Sequence, residues 1–123
     1  MKRIDIKNAS DEDLVARFAE IGGKQFDAIE LGEISRFNRL FDEDVKIVEE
    51  LKHRPGDHRR VLMTLYDHPN VQVRLNAAKS TLAVAPVAAR QLIQAIADSK
   101  EYPQAGDAGM CLWTLDEGIF KPS

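Results

Sequence analysis

Hydrophobic residues recur every three or four positions from Ser10 onward, which is the spacing of amphipathic α-helices. In the first segment Leu14, Phe18 and Ile21 form the apolar stripe, and Ser10 has the position of an N-cap. The pair Gly22-Gly23 predicts the end of this first helix. In residues 1–9 apolar and polar residues alternate weakly, as in a short strand, but the sequence contains no second strand-like run that could pair with it. We therefore predict a flexible tail over residues 1–9 and an all-α fold beyond it.

The later segments bring the prediction to about seven helices. A short second helix is expected at about 24–31, a long third at about 33–53 and a fourth at about 58–67. A fifth is expected to run from Asn70 to Ala85, a sixth starts at Pro86, and a seventh ends near Gly118. Because no linker divides them, residues 10–123 are predicted to form a single domain.

The third predicted helix has the widest apolar face. At about 100° per residue its apolar side chains fall on one arc, formed by Ile34, Phe37, Leu40, Phe41, Val45, Ile47, Val48 and Leu51.

The second half of the chain is weakly self-similar, because Val61, Leu62, Leu65 and Asp67 match Leu92, Ile93, Ile96 and Asp98 at a fixed offset. The stretch 68–78, followed by Leu82, resembles the second helix of a HEAT repeat: a turn with Pro, then Val-Arg, then paired Ala. The whole chain resembles an uncharacterised bacterial family of small HEAT-like domains, through segments 38–41 and 107–113. That resemblance implies a short HEAT/armadillo-like α-α superhelix, and it supplies no activity for this chain.

Composition narrows the classes of function. The 123 residues carry 17 Lys and Arg against 20 Asp and Glu, a net charge of −3, which disfavours a general nucleic-acid or membrane-surface binder. The one cysteine, Cys111, excludes an internal disulfide and a multi-thiolate zinc site. No run resembles a signal peptide or a membrane span, so a cytoplasmic location is expected.

Two groups of residues are candidate partner-binding positions. In HEAT-like folds the second helices line the inner surface, so the resemblance makes Gln72, Asn76 and Lys79 the first candidates. Arg59 and Arg60 belong to the basic cluster over residues 52–60. A solvated turn is the favoured interpretation of that cluster, with an acidic protein partner or nucleic acid as alternatives.

Two charged residues fall inside apolar arcs, Asp44 on the third helix and Arg74 on the fifth. A buried charge is costly unless paired, so we predict a structural ion pair between them, with Asp67 or Asp107 as alternative partners of Arg74. If that pair is buried, Arg74→Ala is expected to destabilise the fold by about 2–4 kcal/mol.

The remaining candidates favour structural roles. The three histidines, His53, His58 and His68, lack the spacing of a helical zinc site, so neither metal nor cofactor is expected. Cys111 and Trp113 lie in an apolar run, which predicts a buried, inert thiol and a core indole.

Together these features predict a protein-interaction module and not an enzyme. It is expected to be a small scaffold or adaptor that binds a protein through a helical face, as a monomer or weak homodimer. A toxin-neutralising immunity protein is one form of this, because an acidic surface suits a basic toxin. The alternatives are a HEAT-like nucleic-acid-binding or repair enzyme and a structural subunit of a larger assembly.

Overall fold

A computed structural model describes residues 5–123 and shows an all-helical protein. Across those residues there are five α-helices and one 3-10 helix, with no strand. In chain order these are α1 Asp11–Glu30, α2 Ile34–His53, the 3-10 helix His58–Leu65, α3 Val71–Ser80, α4 Pro86–Asp98 and α5 Gln104–Asp116. The contacts divide the chain into two compact units, residues 1–61 and 62–123.

The first unit is built on a hairpin of α1 and α2. Leu14, Phe18 and Ile21 on α1 are buried, as are Ile47 and Leu51 on α2, and the two helices pack against each other. Ser10 is the N-cap of α1, because its side chain accepts a hydrogen bond from the backbone N–H of Asp13 at 3.1 Å. The first four residues of the predicted tail lie outside the described residues, and residues 5–9 form a turn.

Helix α1 runs without a break through Gly22-Gly23, so the predicted boundary between a first and a second helix is wrong. A glycine costs a helix only about 1 kcal/mol relative to alanine. The apolar stripe continues past the glycines to Ala28, which is buried, and this burial outweighs that cost. Gly22 is itself buried.

The fourth predicted helix is a 3-10 helix and not an α-helix. It starts directly after Asp57, which has φ 50° and accepts a hydrogen bond from the backbone N–H of Arg59 at 3.2 Å. An α-helix this short gains few i→i−4 bonds, so tertiary contacts of Leu62 and Leu65, both buried, decide the tighter geometry.

The second unit packs α4 against both α3 and α5. Its core combines the large side chains Leu75, Ile93 and Leu112 with alanines that let the helices approach closely, Ala77, Ala78, Ala89, Ala105 and Ala108. Asn70 caps α3 as predicted, accepting hydrogen bonds from the N–H groups of Gln72 and Val73. Helix α3 ends at Ser80, five residues before the predicted end, where the Thr81 hydroxyl donates back to the carbonyl of Ala77 at 2.8 Å.

Candidate functional site

An exposed row of large apolar side chains runs along α2. Ile34 is 74% exposed, Phe41 51% and Val45 40%, and Leu31 in the preceding loop is also exposed. We call these four residues the α2 ridge. Monomeric proteins expose single apolar side chains routinely, but a contiguous row of them marks an interaction surface.

The ridge is exposed because the apolar arc of α2 is wider than the surface its hairpin neighbour covers. Leu40, Ile47 and Leu51 are buried, and the ridge lies about 120° round the helix from them. Phe37 and Val48 lie between the two and are half-buried. The prediction of one broad apolar arc is correct, and the structure divides it into a buried face and an exposed one.

Carboxylates flank the ridge. Asp42 and Glu49 are exposed and lie about 60–80° round α2 from Ile34. Asp27 and Glu30, also exposed, occupy the last turns of α1, beside Leu31. Asp27, Glu30 and Asp42 form no ion pair within residues 5–123. At the C-terminus of a helix the dipole disfavours negative charge, so the positions of Asp27 and Glu30 add nothing to the stability of α1.

Asp44 lies between the ridge and the buried face of α2. The residue is 8% exposed, and its Oδ1 has no hydrogen-bonding partner within the described residues. Burial raises the pKa of Asp44 to about 7. Its neighbours one helical turn away on α2 are Phe41 and Val48, on the side of the ridge.

An ion pair between Arg17 on α1 and Glu43 on α2 stabilises the α1–α2 hairpin. The Arg17 guanidinium donates to both carboxylate oxygens of Glu43 on α2 and to Glu20 on α1. Arg17 is 9% exposed, and the hydrogen bond to Glu43 raises its pKa above the usual range. A bidentate contact of this kind fixes the register of the two helices, and therefore the position of the α2 ridge.

A second exposed apolar patch lies at the end of the chain. It consists of Met110 and Trp113 on α5 with Ile119 and Phe120 after it. Trp113 is 53% exposed, so the prediction of a core indole is wrong: α5 buries Ala108, Cys111 and Leu112, and Trp113 lies on the opposite side.

The charges near this second patch are already paired. Lys79 contacts Asp107 at 2.5 Å, and Arg90 contacts Asp116 at 2.7 Å. The patch therefore carries no unbalanced charge of either sign from these four residues.

The thiol of Cys111 is buried at the foot of a shallow cavity in the second unit. The cavity has a volume of about 290 Å³ and is lined by Lys79, Asp107, Met110, Cys111, Thr114 and Phe120. Burial raises the pKa of Cys111, which keeps the thiol protonated and unreactive near neutral pH, in agreement with the sequence prediction.

The polar strip predicted on α3 is largely engaged inside the second unit. Gln72 is 5% exposed; it accepts a hydrogen bond from Gln104 at 3.0 Å and donates one to Asn76 at 2.9 Å. Lys79 is half-buried and pairs with Asp107. Two residues of α5, Gln104 and Asp107, thus contact this strip, and Asn76 and Lys79 remain half-buried. The contact role of Gln72, Asn76 and Lys79 stays a prediction.

The basic cluster is a solvated turn only in part: His53 and Arg60 are exposed, whereas Arg54 and Arg59 are engaged inside the first unit. Arg54 donates to Asp11 and Glu50 and to the carbonyls of Ile6 and Ala9. Two guanidinium nitrogens of Arg59, Nε and Nη2, donate hydrogen bonds to the carboxylate of Asp57 at 3.0 and 2.7 Å. The Arg59 side chain is buried.

His58 and Arg60 complete the cluster. The ring of His58 contacts Asp11 at 2.9 Å, and Arg60 is exposed. Arg54, His58 and Arg59 thus stabilise loops of the first unit. The partner-binding role assigned to Arg59 and Arg60 stays a prediction.

Arg74 and Asp44 have separate environments instead of the predicted ion pair. Arg74 is half-buried, donates to the carbonyls of His68 and Pro69 at 2.8 and 3.1 Å, and lies 3.8 Å from Glu101. Its carboxylate partner is therefore neither Asp67 nor Asp107. Because the Glu101 contact is partly exposed, Arg74→Ala is expected to cost less than the 2–4 kcal/mol of a buried pair.

Known proteins similar to this chain show the family to which it belongs. A family described as "Domain of unknown function (DUF2019)" matches residues 12–116. The chain belongs to the DUF2019 family. The family match spans all five α-helices except the first residue of α1.

A crystal structure similar to this DUF2019 chain is that of the protein RPA1889 from Rhodopseudomonas palustris CGA009. The two chains are 55% identical, the match covers 98% of this chain and 100% of the other, and the TM-score is 0.94. The similarity supports the all-helical fold and names no activity. A search of the curated proteins gave no match.

The described residues lack a cluster of metal ligands and a membrane-spanning helix. Within residues 5–123 no three His, Cys, Asp or Glu side chains are grouped so as to hold a metal ion. None of the described helices is long and apolar enough to cross a membrane.

Proposed function

We propose that this DUF2019 chain is a protein-interaction module, a small scaffold or adaptor whose partner docks on the α2 ridge. The exposure of Ile34, Phe41 and Val45 in one helical row is the observation that carries the proposal. A helix already held by a hairpin neighbour presents such a row without rearrangement, which lowers the entropic cost of binding.

The ridge is large enough to contribute substantial binding energy. Fully burying an apolar side chain such as Ile, Val or Phe is worth roughly 1.5–3 kcal/mol. Because the ridge side chains are already partly covered, about half of that applies to each. Phe41 is the central residue of the row, where hot spots of an interface concentrate.

We further propose that the helix pairs stack in a HEAT-like manner and that the partner is a protein and not nucleic acid. The internal pairing of Arg54 and Arg59 supports the second point, because paired arginines are less available to phosphates. A toxin-neutralising immunity protein is one form of this function, and a subunit of a larger assembly is another.

Site-specific photocrosslinking in the native host tests the proposal. A benzophenone amino acid replaces Phe41 in one variant and Lys46, an exposed residue of α2 away from the ridge, in the control. We expect a discrete, nuclease-resistant protein adduct from position 41 that position 46 does not give. The adduct should disappear when Ile34→Ser and Val45→Ser are added.

Two results would contradict the proposal. Identical adducts from positions 41 and 46 would show that the ridge has no special role. Adducts that nuclease removes would favour the nucleic-acid alternative, and would direct attention to the exposed Arg60.

A further inference from the structure

The chemistry around the α2 ridge specifies the kind of partner. We propose that the ridge binds a basic amphipathic helix of the partner protein, with its apolar face on Ile34, Phe41 and Val45 and its cations on the flanking carboxylates. This inference rests on the proposed function, because it requires that the ridge is a docking surface.

The shape of the ridge matches a helix. Ile34 and Phe41 are one heptad apart, and the half-buried Val48 continues the same spacing. Side chains repeated every seven residues form the seam on which a second helix packs knobs into holes. At 1.5 Å per residue the row from Ile34 to Val45 is about 16 Å long, which corresponds to three turns of a partner helix.

The charge along the ridge is negative. Asp42 and Glu49 lie on its polar border, and Asp27 and Glu30 lie at its Leu31 end. The exposed cations Arg39 and Lys46 lie about 120–140° round α2 from Ile34, on the side of Asp42 and Glu49 that faces away from the ridge and one helical turn from Asp42. Half-buried Lys52 lies at the far end of the row, beyond Val48. Lys and Arg beside the apolar face of a partner helix complement the carboxylates.

Asp44 adds an independent observation. Its Oδ1 is buried without a hydrogen-bonding partner, and Phe41 is its neighbour one turn back on α2. An unsatisfied buried acceptor has a free-energy cost, and a shift of the neighbouring ridge side chains on binding would open Oδ1 to a donor from an incoming Lys or Arg side chain and remove that cost. A helix that lies across Phe41 brings such a side chain to Asp44.

The α5 patch lacks these signs. Asp107 and Asp116 beside it already pair with Lys79 and Arg90. The two patches therefore provide an internal comparison: both are apolar, and beside the α2 ridge Asp27, Glu30 and Asp42 form no ion pair within residues 5–123, whereas Asp107 and Asp116 beside the α5 patch are paired and only Glu117 there is not.

Isothermal titration of the full chain with designed peptides tests the inference. The probe is a helical peptide of about three heptads with Leu on one face and Lys beside it; the controls are the same peptide with Glu for Lys and a scrambled Lys peptide. We expect the Lys helix to bind at least about tenfold more tightly than either control. Phe41→Ser should weaken it by about tenfold or more, and Met110→Ser on the α5 patch should have no effect.

Two carboxylate variants separate charge from apolar contact. Asp42→Asn with Glu49→Gln should reduce the preference for Lys over Glu and its dependence on salt. Asp44→Asn should weaken binding although we expect it to stabilise the folded chain near pH 8, so the loss cannot be attributed to unfolding.

Each contrary outcome overturns a distinct statement. Equal binding of the Lys and Glu helices would exclude the basic partner and leave the ridge as a docking surface. Lys-helix binding that Phe41→Ser leaves intact would remove the ridge from the interaction. A dimer of this chain that Phe41→Ser dissociates, seen by sedimentation equilibrium, would assign the ridge to a second copy. The photocrosslinking experiment tests the proposed function separately: if position 41 gives no protein adduct, the proposed function itself is wrong.

Discussion

Asp44→Asn is expected to stabilise this protein, and to do so only above mildly acidic pH. The carboxyl is buried, and its pKa rises from 3.8 to about 7 in the folded chain. Asparagine has nearly the same shape as a protonated aspartic acid and carries no charge, so it retains the packing and removes the buried ionisation.

The magnitude follows from the two pKa values. Between about pH 4 and pH 7 the folded state holds a proton on Asp44 that the unfolded state has released, so the contribution of this residue to stability falls as the pH rises. About three pKa units correspond to roughly 4 kcal/mol, and relaxation around the charge reduces this to about 2–4 kcal/mol. Above pH 7 the loss is complete and stays constant.

Urea unfolding followed by circular dichroism measures the effect on both proteins from pH 4.5 to pH 8. The difference in unfolding free energy should be near its minimum at pH 4.5 and grow steadily toward pH 7. Carboxylates with lowered pKa values change the absolute stability at low pH: Arg17 lowers the pKa of Glu20, and Arg59 lowers that of Asp57. Both groups are present in the two proteins, so their contributions cancel in the difference. A difference that does not vary with pH would refute the argument that Asp44 is buried as an unpaired acid.

Three further results are expected. Arg17→Met should lower the unfolding free energy by about 1.5–3 kcal/mol, because it removes the charged hydrogen bonds to Glu43, whose side chain is 26% exposed, whereas Glu20→Gln, at a carboxylate that is 53% exposed, should cost under about 1 kcal/mol in the same denaturation assay. Gly109→Ala should raise the thermal midpoint by an amount equivalent to about 0.5–1 kcal/mol, since its Cβ meets nothing within 4 Å, and Gly32→Ala should lower it because φ is +69°. Cys111 should react with a thiol reagent at a measurable rate only after denaturant is added; rapid labelling of the folded chain would contradict its burial.

The caps and most helix boundaries could be predicted from the sequence because they depend on neighbouring residues. Ser10 and Asn70 are N-caps, α2 and α4 begin within one residue of their predicted starts, and Gly118 follows α5 with φ +70°. The predicted break at Gly22-Gly23 is wrong because packing between α1 and α2, and not the neighbouring residues, decides whether the helix continues there. A local preference of about 1 kcal/mol per glycine is smaller than the burial gained by continuing the helix over α2.

The environment of each charge depends on residues that are distant in sequence. Arg74 and Asp44 were both correctly identified as charges inside apolar arcs, but nothing local specifies Glu101 as the neighbour of Arg74 or leaves Oδ1 of Asp44 without a partner. Arg17 was missed as a structural residue, since its partner Glu43 lies 26 positions away. Its place on α1 beside Leu14 and Phe18 was the available signal.

By itself the sequence determined that the chain is helical, where its helices carry apolar arcs and which residues cap them, since these follow from contacts within a few positions. Only the tertiary structure decided which part of each arc is covered. The arc of α2 spans more surface than one neighbouring helix can bury, so packing against α1 covers Leu40, Ile47 and Leu51 and leaves Ile34, Phe41 and Val45 exposed. The candidate site is the part of the arc that α1 leaves uncovered. The sequence could not identify it, because an exposed apolar row has the same spacing in the sequence as a buried one.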